Sequence, residues 1–259
     1  MDMYFCPLYS GSSGNALYCQ YGNTRLLIDA GKSGKCIEDA LASIGADIRS
    51  LSGVLITHEH SDHITALRTM SRSCGIPVYA PGSVIRYLDG QIPELGERLN
   101  RIRENEEFRV GGLTVRAFPT PHDTDQSVGY RVSEGESLLG FCTDTGCVTD
   151  AMLDNLSGCR TALIEANHDP ERLRSGPYPF YLKKRILSER GHLSNDDSAG
   201  LACTLASRGT RTLVLGHLSR ENNTPELARL AVRTALDRNG YADVELYIAP
   251  VSGALSVEI

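Results

Sequence analysis

Four side chains of types that commonly bind metal ions lie within six consecutive positions of the chain. The segment His58-Glu59-His60-Ser61-Asp62-His63 comes directly after the apolar run at residues 53–57. Imidazole nitrogens and carboxylate oxygens are the usual ligands of Zn²⁺ and other divalent transition metals. Packed this closely in a fold interior, they would lose hydration and repel one another on protonation unless a cation lay between them. The spacing therefore predicts a metal site; the alternative is a surface cluster of polar residues.

Further ligand-type residues appear where other strands end. Each follows an apolar run directly: His122 after residues 113–118, Asp144 at the end of 137–143, and His217 after 212–215. Loops at strand ends are where sheets present catalytic groups. A single histidine after a strand is more often structural. Because the same arrangement recurs beside segment 58–63, we expect all of these residues to meet at one site.

The elements that must position these residues are short strands and helices. Runs of alternating or continuous apolar residues, bounded by Gly, Ser and Asn turns, predict both kinds of element. We predict strands at residues 4–9, 16–20, 25–29, 53–57, 113–118, 127–133, 137–143, 160–165, 212–215 and 245–248, and helices at 34–45, 64–73, 178–190, 195–207 and 225–238. Their order predicts an α/β fold with two packed sheets and helices outside, in a single domain over residues 1–259.

The composition excludes some classes of protein. The chain has 259 residues, a net charge of −6 and 41% hydrophobic residues, typical of a globular protein with an ample core. No apolar run approaches the roughly 20 residues that span a bilayer. The start lacks a signal-peptide pattern, and the eight cysteines show no CxxC spacing, so we expect reduced thiols and a cytoplasmic location. The acidic balance argues against a protein that coats nucleic acid, although an enzyme with a local basic surface is compatible with it.

One such local basic surface is encoded at residues 171–190. This stretch carries six Lys or Arg against two Glu, and it also holds Tyr178, Phe180 and Tyr181. Basic residues interleaved with aromatics can follow a phosphate backbone while bases stack on the rings. A solvated helix with an aromatic anchor explains the pattern equally well.

The motifs as a set resemble a known superfamily. The HxHxDH segment at 58–63, followed by His122, Asp144 and His217, together with the Asp29-Ala-Gly31 turn, resembles the metallo-β-lactamase superfamily. The runs at 10–15 (SGSSGN), 165–169 (EANHD), 191–195 (GHLSN) and 217–223 (HLSRENN) are similar to the YycJ/WalJ family within it. The resemblance implies an αββα sandwich of two mixed sheets with helices on the outer faces. It also implies a metal-dependent phosphodiesterase or nuclease, with exonuclease activity on DNA.

The resemblance also implies a binuclear site. His58, His60 and His122 would hold one divalent ion, and Asp62, His63 and His217 would hold a second, with Asp144 bridging the two. Zn²⁺, Mn²⁺ and Fe²⁺ are all compatible with histidine and aspartate ligands. Two such ions are a known arrangement for hydrolysing phosphodiesters, and Asp62 could in addition accept a hydrogen bond from the attacking water.

Glu165 and His192 are candidates for a second catalytic role. Their order and context are similar to a Glu and His pair that donates a proton to the leaving group in the RNase Z group. A carboxylate that orients an imidazole is sound acid catalysis. The alternative for this segment is helix capping by Ser194 or Asn195. For His168 we expect a polar or substrate-side contact and no ligand role.

The remaining candidates concern substrate. Within the family-like runs, we expect Ser13, Asn15, Asn167, Ser219 and Arg220 to contact substrate, although simple turn chemistry explains the Gly-Ser run equally well. The favoured substrate is nucleic acid, with DNA preferred over RNA. A small ester, thioester, lactam or cyclic phosphate is the alternative, because the same core supports those reactions. A non-catalytic metal-binding module is disfavoured by the complete set of ligand-type residues.

Overall fold

The computed structural model describes residues 3–258. The strands are β1 (Tyr4–Tyr9), β2 (Ala16–Tyr21), β3 (Thr24–Ile28), β4 (Gly53–Leu55), β5 (Val78–Ala80), β6 (Leu99–Arg101), β7 (Glu107–Val110), β8 (Leu113–Pro119), β9 (Val128–Glu134), β10 (Ser137–Cys142), β11 (Thr161–Glu165), β12 (Thr212–Gly216), β13 (Glu245–Ile248) and β14 (Val257–Glu258). The α-helices are α1 (Gly34–Ser43), α2 (Ser61–Ile64), α3 (Leu67–Ser73), α4 (Gly82–Gln91), α5 (Asp150–Leu156), α6 (Pro170–Ser175), α7 (Phe180–Ile186), α8 (Asn195–Ser207) and α9 (Pro225–Arg238). Short 3₁₀ helices lie at Ile48–Ser50 and Pro93–Arg98.

The strands form two mixed sheets. The first has the order β14-β1-β2-β3-β4-β5-β6, and the second has the order β13-β12-β11-β10-β9-β8-β7. In each sheet an antiparallel part joins a parallel part: β3 to β6 run parallel in the first, and β10 to β13 run parallel in the second. Parallel neighbours end at the same edge of a sheet, so the residues after β10, β11 and β12 reach the same region.

Three apolar layers hold the sandwich together. The middle layer joins the two sheets through side chains such as Leu26 and Leu55 from the first and Val115, Tyr130 and Val214 from the second, all fully buried. One outer layer packs α1, α3 and α4 against the first sheet, and the other packs α5, α8 and α9 against the second. The predicted αββα sandwich is therefore confirmed.

Two predicted helices differ from the structure in ways that matter at the site. The helix predicted at 64–73 is interrupted between α2 and α3, because the N–H of Ala66 donates to the carbonyl of Ala30 at 2.8 Å. The helix predicted at 178–190 spans only Phe180–Ile186. It ends there because the chain turns back, and the N–H of His192 donates to the carbonyl of Ile186 at 3.0 Å.

All eight cysteines lie within the described residues and are free thiols. Among residues 3–258, no helix has the length and apolar character needed to cross a membrane.

Candidate active site

The HxHxDH segment is fixed by its contacts with an earlier loop. After β4 the chain continues through His58 and His60 into the short helix α2, which contains Asp62 and His63. The N–H of Ala30 donates to the carbonyl of His63 at 2.7 Å, and the N–H of Asn15 donates to the carbonyl of Asp62 at 2.8 Å. Gly31 leaves no room for a side chain here, because a Cβ would lie 1.6 Å from the carbonyl oxygen of Asp62. The loops that carry the motif are thus held rigidly.

Three histidines form the first group of the site. His58, His60 and His122 each offer one ring nitrogen, and these atoms lie within 4.8 Å of one another. His122 Nδ1 lies 3.2 Å from the carbonyl oxygen of Gly191, so Nδ1 carries the proton and Nε2 is left as a free acceptor facing the site. His58 is fully buried, and burial lowers its pKa well below the usual value, with further lowering by the neighbouring His63. Burial also lowers the pKa of His122, so the rings of His58 and His122 are neutral, as metal ligands must be.

Asp62, His63 and His217 form the second group, and their candidate ligand atoms also lie within 4.8 Å of one another. His63 Nε2 is 3.6 Å from Asp62 Oδ2, and His217 Nε2 is 4.0 Å from that same oxygen. These separations exceed ordinary hydrogen bonds. These ligand-type atoms therefore lie close together without forming hydrogen bonds to one another.

Asp144 lies between the two groups. Its Oδ2 is 3.5 Å from His63 Nε2, while its Oδ1 is 3.5 Å from His217 Nε2 and 3.7 Å from His122 Nε2. The carboxylate is buried, and it faces one histidine of the first group and two of the second. This is the position that a bridging ligand requires.

The residues fit a pair of divalent cations. Within residues 3–258, the buried atoms Asp144 Oδ2 and His217 Nε2 have no hydrogen-bond partner. A buried polar atom without a partner costs free energy that an ion would recover. Although burial lowers it, the carboxylates of Asp29 and Asp144 raise the pKa of His63 to about 9. The same carboxylates would favour the positive charge of a bound cation at this position.

A buried carboxylate, that of Asp29, orients the ring of His63. Asp29 is fully buried; its Oδ2 lies 2.8 Å from His63 Nδ1, and it also accepts hydrogen bonds from the N–H and hydroxyl of Thr57. A hydrogen bond at Nδ1 fixes the tautomer and directs Nε2 at the site. The sequence indicates Asp29 only as part of a turn, and its role in orienting His63 is not visible there.

Asp123 is a second residue that the sequence analysis misses. Its Oδ1 lies 3.3 Å from His122 Nε2 and 3.7 Å from His60 Nε2. Its Oδ2 accepts a hydrogen bond from Arg185 of α7. The carboxylate therefore links the first histidine group to helix α7. Its place directly after His122 in the sequence is the signal that could have found it.

The backbone is strained at several site residues. Asp29, Asp144 and His217 have φ values of 59°, 56° and 56°, in the left-handed region that side chains disfavour. At His217 the strain is held by two hydrogen bonds, from its N–H to Ser10 Oγ at 2.8 Å and from Asn167 Nδ2 to its carbonyl at 2.9 Å. Such strain persists where surrounding contacts impose it, and it is concentrated at functional sites.

Glu165 and His192 lie together as the sequence predicts. Glu165 is fully buried at the end of β11, and its Oε1 lies 2.8 Å from Nδ1 of the partly exposed His192. Burial raises the pKa of Glu165, but the charge and hydrogen bond of His192 and of His217 outweigh it, so the pKa lies well below the usual value. The capping alternative holds as well, because Ser194 caps α8 by accepting from the N–H of Asp197 at 3.1 Å. Both features coexist in neighbouring residues.

The cleft above these residues has a volume of about 170 Å³. Ser12, Asn167, His217 and Ser219 line one part of it, and Asp123, Gly191 and His192 line another. Tyr178, Leu182, Arg185 and Ile186 contribute the wall from α7 and the turn before it. Helix α7 and the turn before it therefore border the space next to the proposed ligands.

The residues expected to contact substrate lie near the cleft in different settings. Ser13 Oγ accepts hydrogen bonds from Lys32 at 3.0 Å and from Arg220 at 2.9 Å. Asn15 and Asn167 are buried, with Asn15 Oδ1 accepting from the N–H of Gly11 at 2.9 Å. Their amides support the loops around the site, and direct substrate contact by these residues stays a prediction.

His168 occupies a different environment from the one expected. Its ring is 1% exposed, and neither ring nitrogen has a hydrogen-bond partner among the described residues. Burial lowers its pKa to about 4. The ring makes no polar contact with residues 3–258 and does not line the cleft, so the predicted substrate-side contact is wrong.

The chain is similar to a known superfamily of proteins in both sequence and structure. The sequence model of the family described as "Beta-lactamase superfamily domain" matches residues 24–218. In structure, the chain is similar to the metallo-β-lactamase fold protein YhfI from Bacillus subtilis, with a TM-score of 0.74 at 16% identity over 99% of this chain and 100% of that one. At that identity the likeness shows the fold alone, an αββα sandwich of this superfamily.

Two curated relatives identify the family within this superfamily to which the chain belongs. The chain is 37% identical to the exodeoxyribonuclease YycJ of Bacillus anthracis, over 95% of this chain and 94% of that protein. It is 38% identical to the exodeoxyribonuclease WalJ of Streptococcus pneumoniae, over 87% of this chain and 85% of that protein. The chain belongs to the YycJ/WalJ family of the β-lactamase superfamily.

Proposed function

We propose that this protein is a metal-dependent exodeoxyribonuclease. The observation that carries the proposal is the convergence of seven ligand-type side chains beside the Glu165–His192 pair at one cleft. A site for two cations next to a proton donor suits hydrolysis of a phosphodiester, whose leaving alkoxide needs a proton. The reaction type agrees with the names of the two curated relatives.

The assignment of residues to the ions follows the two groups. His58, His60 and His122 would hold one ion, Asp62, His63 and His217 the other, and Asp144 would contact both. Zn²⁺, Mn²⁺ and Fe²⁺ are the candidates that this set of nitrogen and oxygen ligands favours. When bound, such ions lower the pKa of water and neutralise charge on the phosphate oxygens.

The chain's own residues then position the reacting groups. Asp62 is partly exposed, so one of its oxygens can accept a hydrogen bond from the attacking water. The protonated Nε2 of His192 donates its proton to the leaving oxygen. Glu165 is fully buried and does not reach the substrate; it is a positioning residue whose Oε1 contacts His192 Nδ1 at 2.8 Å and so orients the ring.

Substrate contacts are assigned from the cleft wall and its mouth. Arg185 and Ser219 line the cleft and offer donors to a phosphate group. Ser13 and Arg220, which are hydrogen-bonded to each other, would bind a phosphate beside them. We favour DNA over RNA because the curated relatives carry the name exodeoxyribonuclease.

The test combines metal analysis with a substrate panel. Protein reconstituted with Mn²⁺ or Zn²⁺ should contain two ions per chain by elemental analysis and should shorten end-labelled DNA stepwise. Asp144→Asn should lose both properties, while Glu136→Gln, an exposed carboxylate in a hairpin, should keep both. One ion or none would contradict the site assignment. Turnover of a thioester or lactam without nuclease activity would instead favour a small-molecule hydrolase.

A further inference from the structure

The helix that walls the cleft also carries an unusual exposed surface. Phe180, Tyr181 and Leu187 are 82%, 73% and 48% exposed, respectively. Large apolar side chains on a surface are ordinary when scattered, but a contiguous group marks an interaction site. Phe180 and Leu187 border one cavity with Arg174, Lys183 and Lys184, and Tyr181 is the next residue of the helix after Phe180. We call these residues the α7 surface: Arg174, Phe180, Tyr181, Lys183, Lys184 and Leu187.

The α7 surface is both concave and basic. All of its residues except Tyr181 line a shallow cavity of about 640 Å³, together with Ser188. The surrounding segment 171–190 carries six Lys or Arg against two Glu, although the whole chain has a net charge of −6. This local excess of positive charge is complementary to a polyanion.

Helix α7 connects this surface to the catalytic cleft. Leu182, Arg185 and Ile186 face the cleft, whereas Phe180, Lys183 and Lys184 line the outer cavity. Arg185 is bound to Asp123 beside the first histidine group. The cleft and the α7 surface therefore border different faces of the same short helix.

The exposed aromatic rings indicate which kind of polyanion the α7 surface would bind. Unpaired bases stack on aromatic side chains without regard to sequence. In a duplex the bases are already stacked on one another, so only phosphates would be presented to Phe180 and Tyr181. We propose that the α7 surface binds the unpaired part of a nucleic-acid strand, with bases stacked on Phe180 and Tyr181 and phosphates on Lys183 and Lys184. This inference deepens the proposed function and rests on it for the role of the bound strand.

A single substitution would make nucleic-acid binding at the α7 surface measurable by fluorescence. The chain has no tryptophan, so Phe180→Trp would introduce one fluorophore at a position that is already exposed. A 12-nucleotide oligothymidylate should quench its fluorescence, whereas a blunt duplex of the same length should quench it much less. Leu230→Trp is the matched control, because Leu230 is 65% exposed on α9 and lies outside the surface. Equal quenching by the two nucleic acids, or equal quenching in both variants, overturns the proposal.

Alanine variants separate stacking from charge. Phe180→Ala with Tyr181→Ala should weaken oligothymidylate binding by roughly 5- to 150-fold for each stacked base that is lost, while leaving its salt dependence unchanged. Lys183→Ala with Lys184→Ala should reduce the slope of log K against log salt by roughly 0.7 for each phosphate that is no longer neutralised. Arg185 is kept in both variants because it is bound to Asp123. Wild-type binding by the aromatic variant overturns the proposal.

A small substrate distinguishes this inference from the proposed function. Bis(p-nitrophenyl) phosphate is too small to span the cleft and the α7 surface, so the aromatic variant should hydrolyse it at the wild-type rate. If the aromatic variant hydrolyses this substrate and binds oligothymidylate as the wild type does, the proposed role of the α7 surface is wrong, while the proposed nuclease activity stands. No phosphodiester hydrolysis in wild type, with quenching intact, overturns the nuclease but supports the surface. Quenching by phosphatidylglycerol vesicles or by self-association, without quenching by oligothymidylate, overturns the surface as a nucleic-acid site.

Discussion

Glu165 Oε1 lies 2.7 Å from His217 Nδ1, so the residue paired with the proposed proton donor also orients a proposed metal ligand. The same oxygen lies 2.8 Å from His192 Nδ1. Its other oxygen accepts from the N–H groups of Thr145 and Leu193, at 3.0 and 3.2 Å. One buried carboxylate thus fixes two imidazoles and couples the metal site to the acid.

We predict that Glu165→Gln weakens metal binding as well as turnover. An amide has no charge and only one accepting oxygen, so it cannot satisfy both imidazoles and the two backbone N–H groups. Loss of such an orienting carboxylate typically costs about 10–100-fold in metal affinity. Calorimetric titration with Zn²⁺ measures this, and Glu136→Gln on an exposed hairpin is the control. Turnover should fall as well, because the ring of His192 loses the carboxylate that orients it. Unchanged metal affinity would mean that Glu165 serves His192 alone.

The double role of Glu165 marks the limit of what the sequence predicts. The chemistry of the ligand types, and their positions after apolar runs, are visible locally and predict a metal site. Glu165 and His217 are far apart in the chain, and they meet because β11 and β12 are parallel neighbours with Glu165 opposite Gly216. That adjacency depends on strand order, which periodicity does not encode.

Some strands and helices are not predicted from the sequence for a similar reason. The strands β5, β6, β7 and β14 and the helices α4, α5 and α6 are not predicted, because they are short or carry mixed burial patterns. Their place is set by packing against the sheets more than by local propensity. Asp29 is missed for the opposite reason: its turn is recognisable, but its burial against His63 is a tertiary fact.

Asp62→Asn should reduce turnover far more than substrate binding. An amide retains an oxygen that can contact an ion, but it lacks the charge that favours hydrogen bonding from the attacking water. The loss should therefore appear in kcat more than in KM. Steady-state kinetics with metal content measured on the same sample test this. Asp125→Asn, an exposed aspartate near the same face, should leave both constants unchanged. A fully metal-loaded Asp62→Asn enzyme with wild-type kcat would refute the role of Asp62.

His192→Ala should slow hydrolysis while the metal content stays at two ions per chain. Positioned acid catalysis is typically worth about 10²–10⁴-fold. The defect should be smaller on a p-nitrophenyl ester of thymidine phosphate, because that leaving group needs no proton. Comparing kcat on the two substrates gives the internal control. A variant that loses an ion would identify His192 as a ligand instead of an acid.

Asp123→Asn should weaken metal binding at the first histidine group. Its carboxylate faces His60 Nε2 at 3.7 Å and His122 Nε2 at 3.3 Å, and removing its negative charge makes that position less favourable for a cation. We expect about a 10–100-fold loss in affinity for one of the two ions. Arg185→Ala is the informative comparison, because it removes the partner of Asp123 and keeps the carboxylate. If both variants lose affinity equally, the ion pair matters and not the carboxylate alone.

His168→Leu should change how stability depends on pH. Burial lowers the pKa of His168 from about 6.5 to about 4, so between these values the unfolded chain binds a proton that the folded chain does not. Stability conferred by the neutral ring is therefore present above pH 6.5 and is lost as pH falls toward 4. At about 1.4 kcal/mol per pKa unit, the loss is on the order of 3 kcal/mol. Leucine cannot titrate and buries no ring nitrogen, so urea unfolding should show the variant gaining that amount relative to wild type between pH 8 and pH 4. Two parallel stability curves over this range would show that His168 does not titrate as its burial requires.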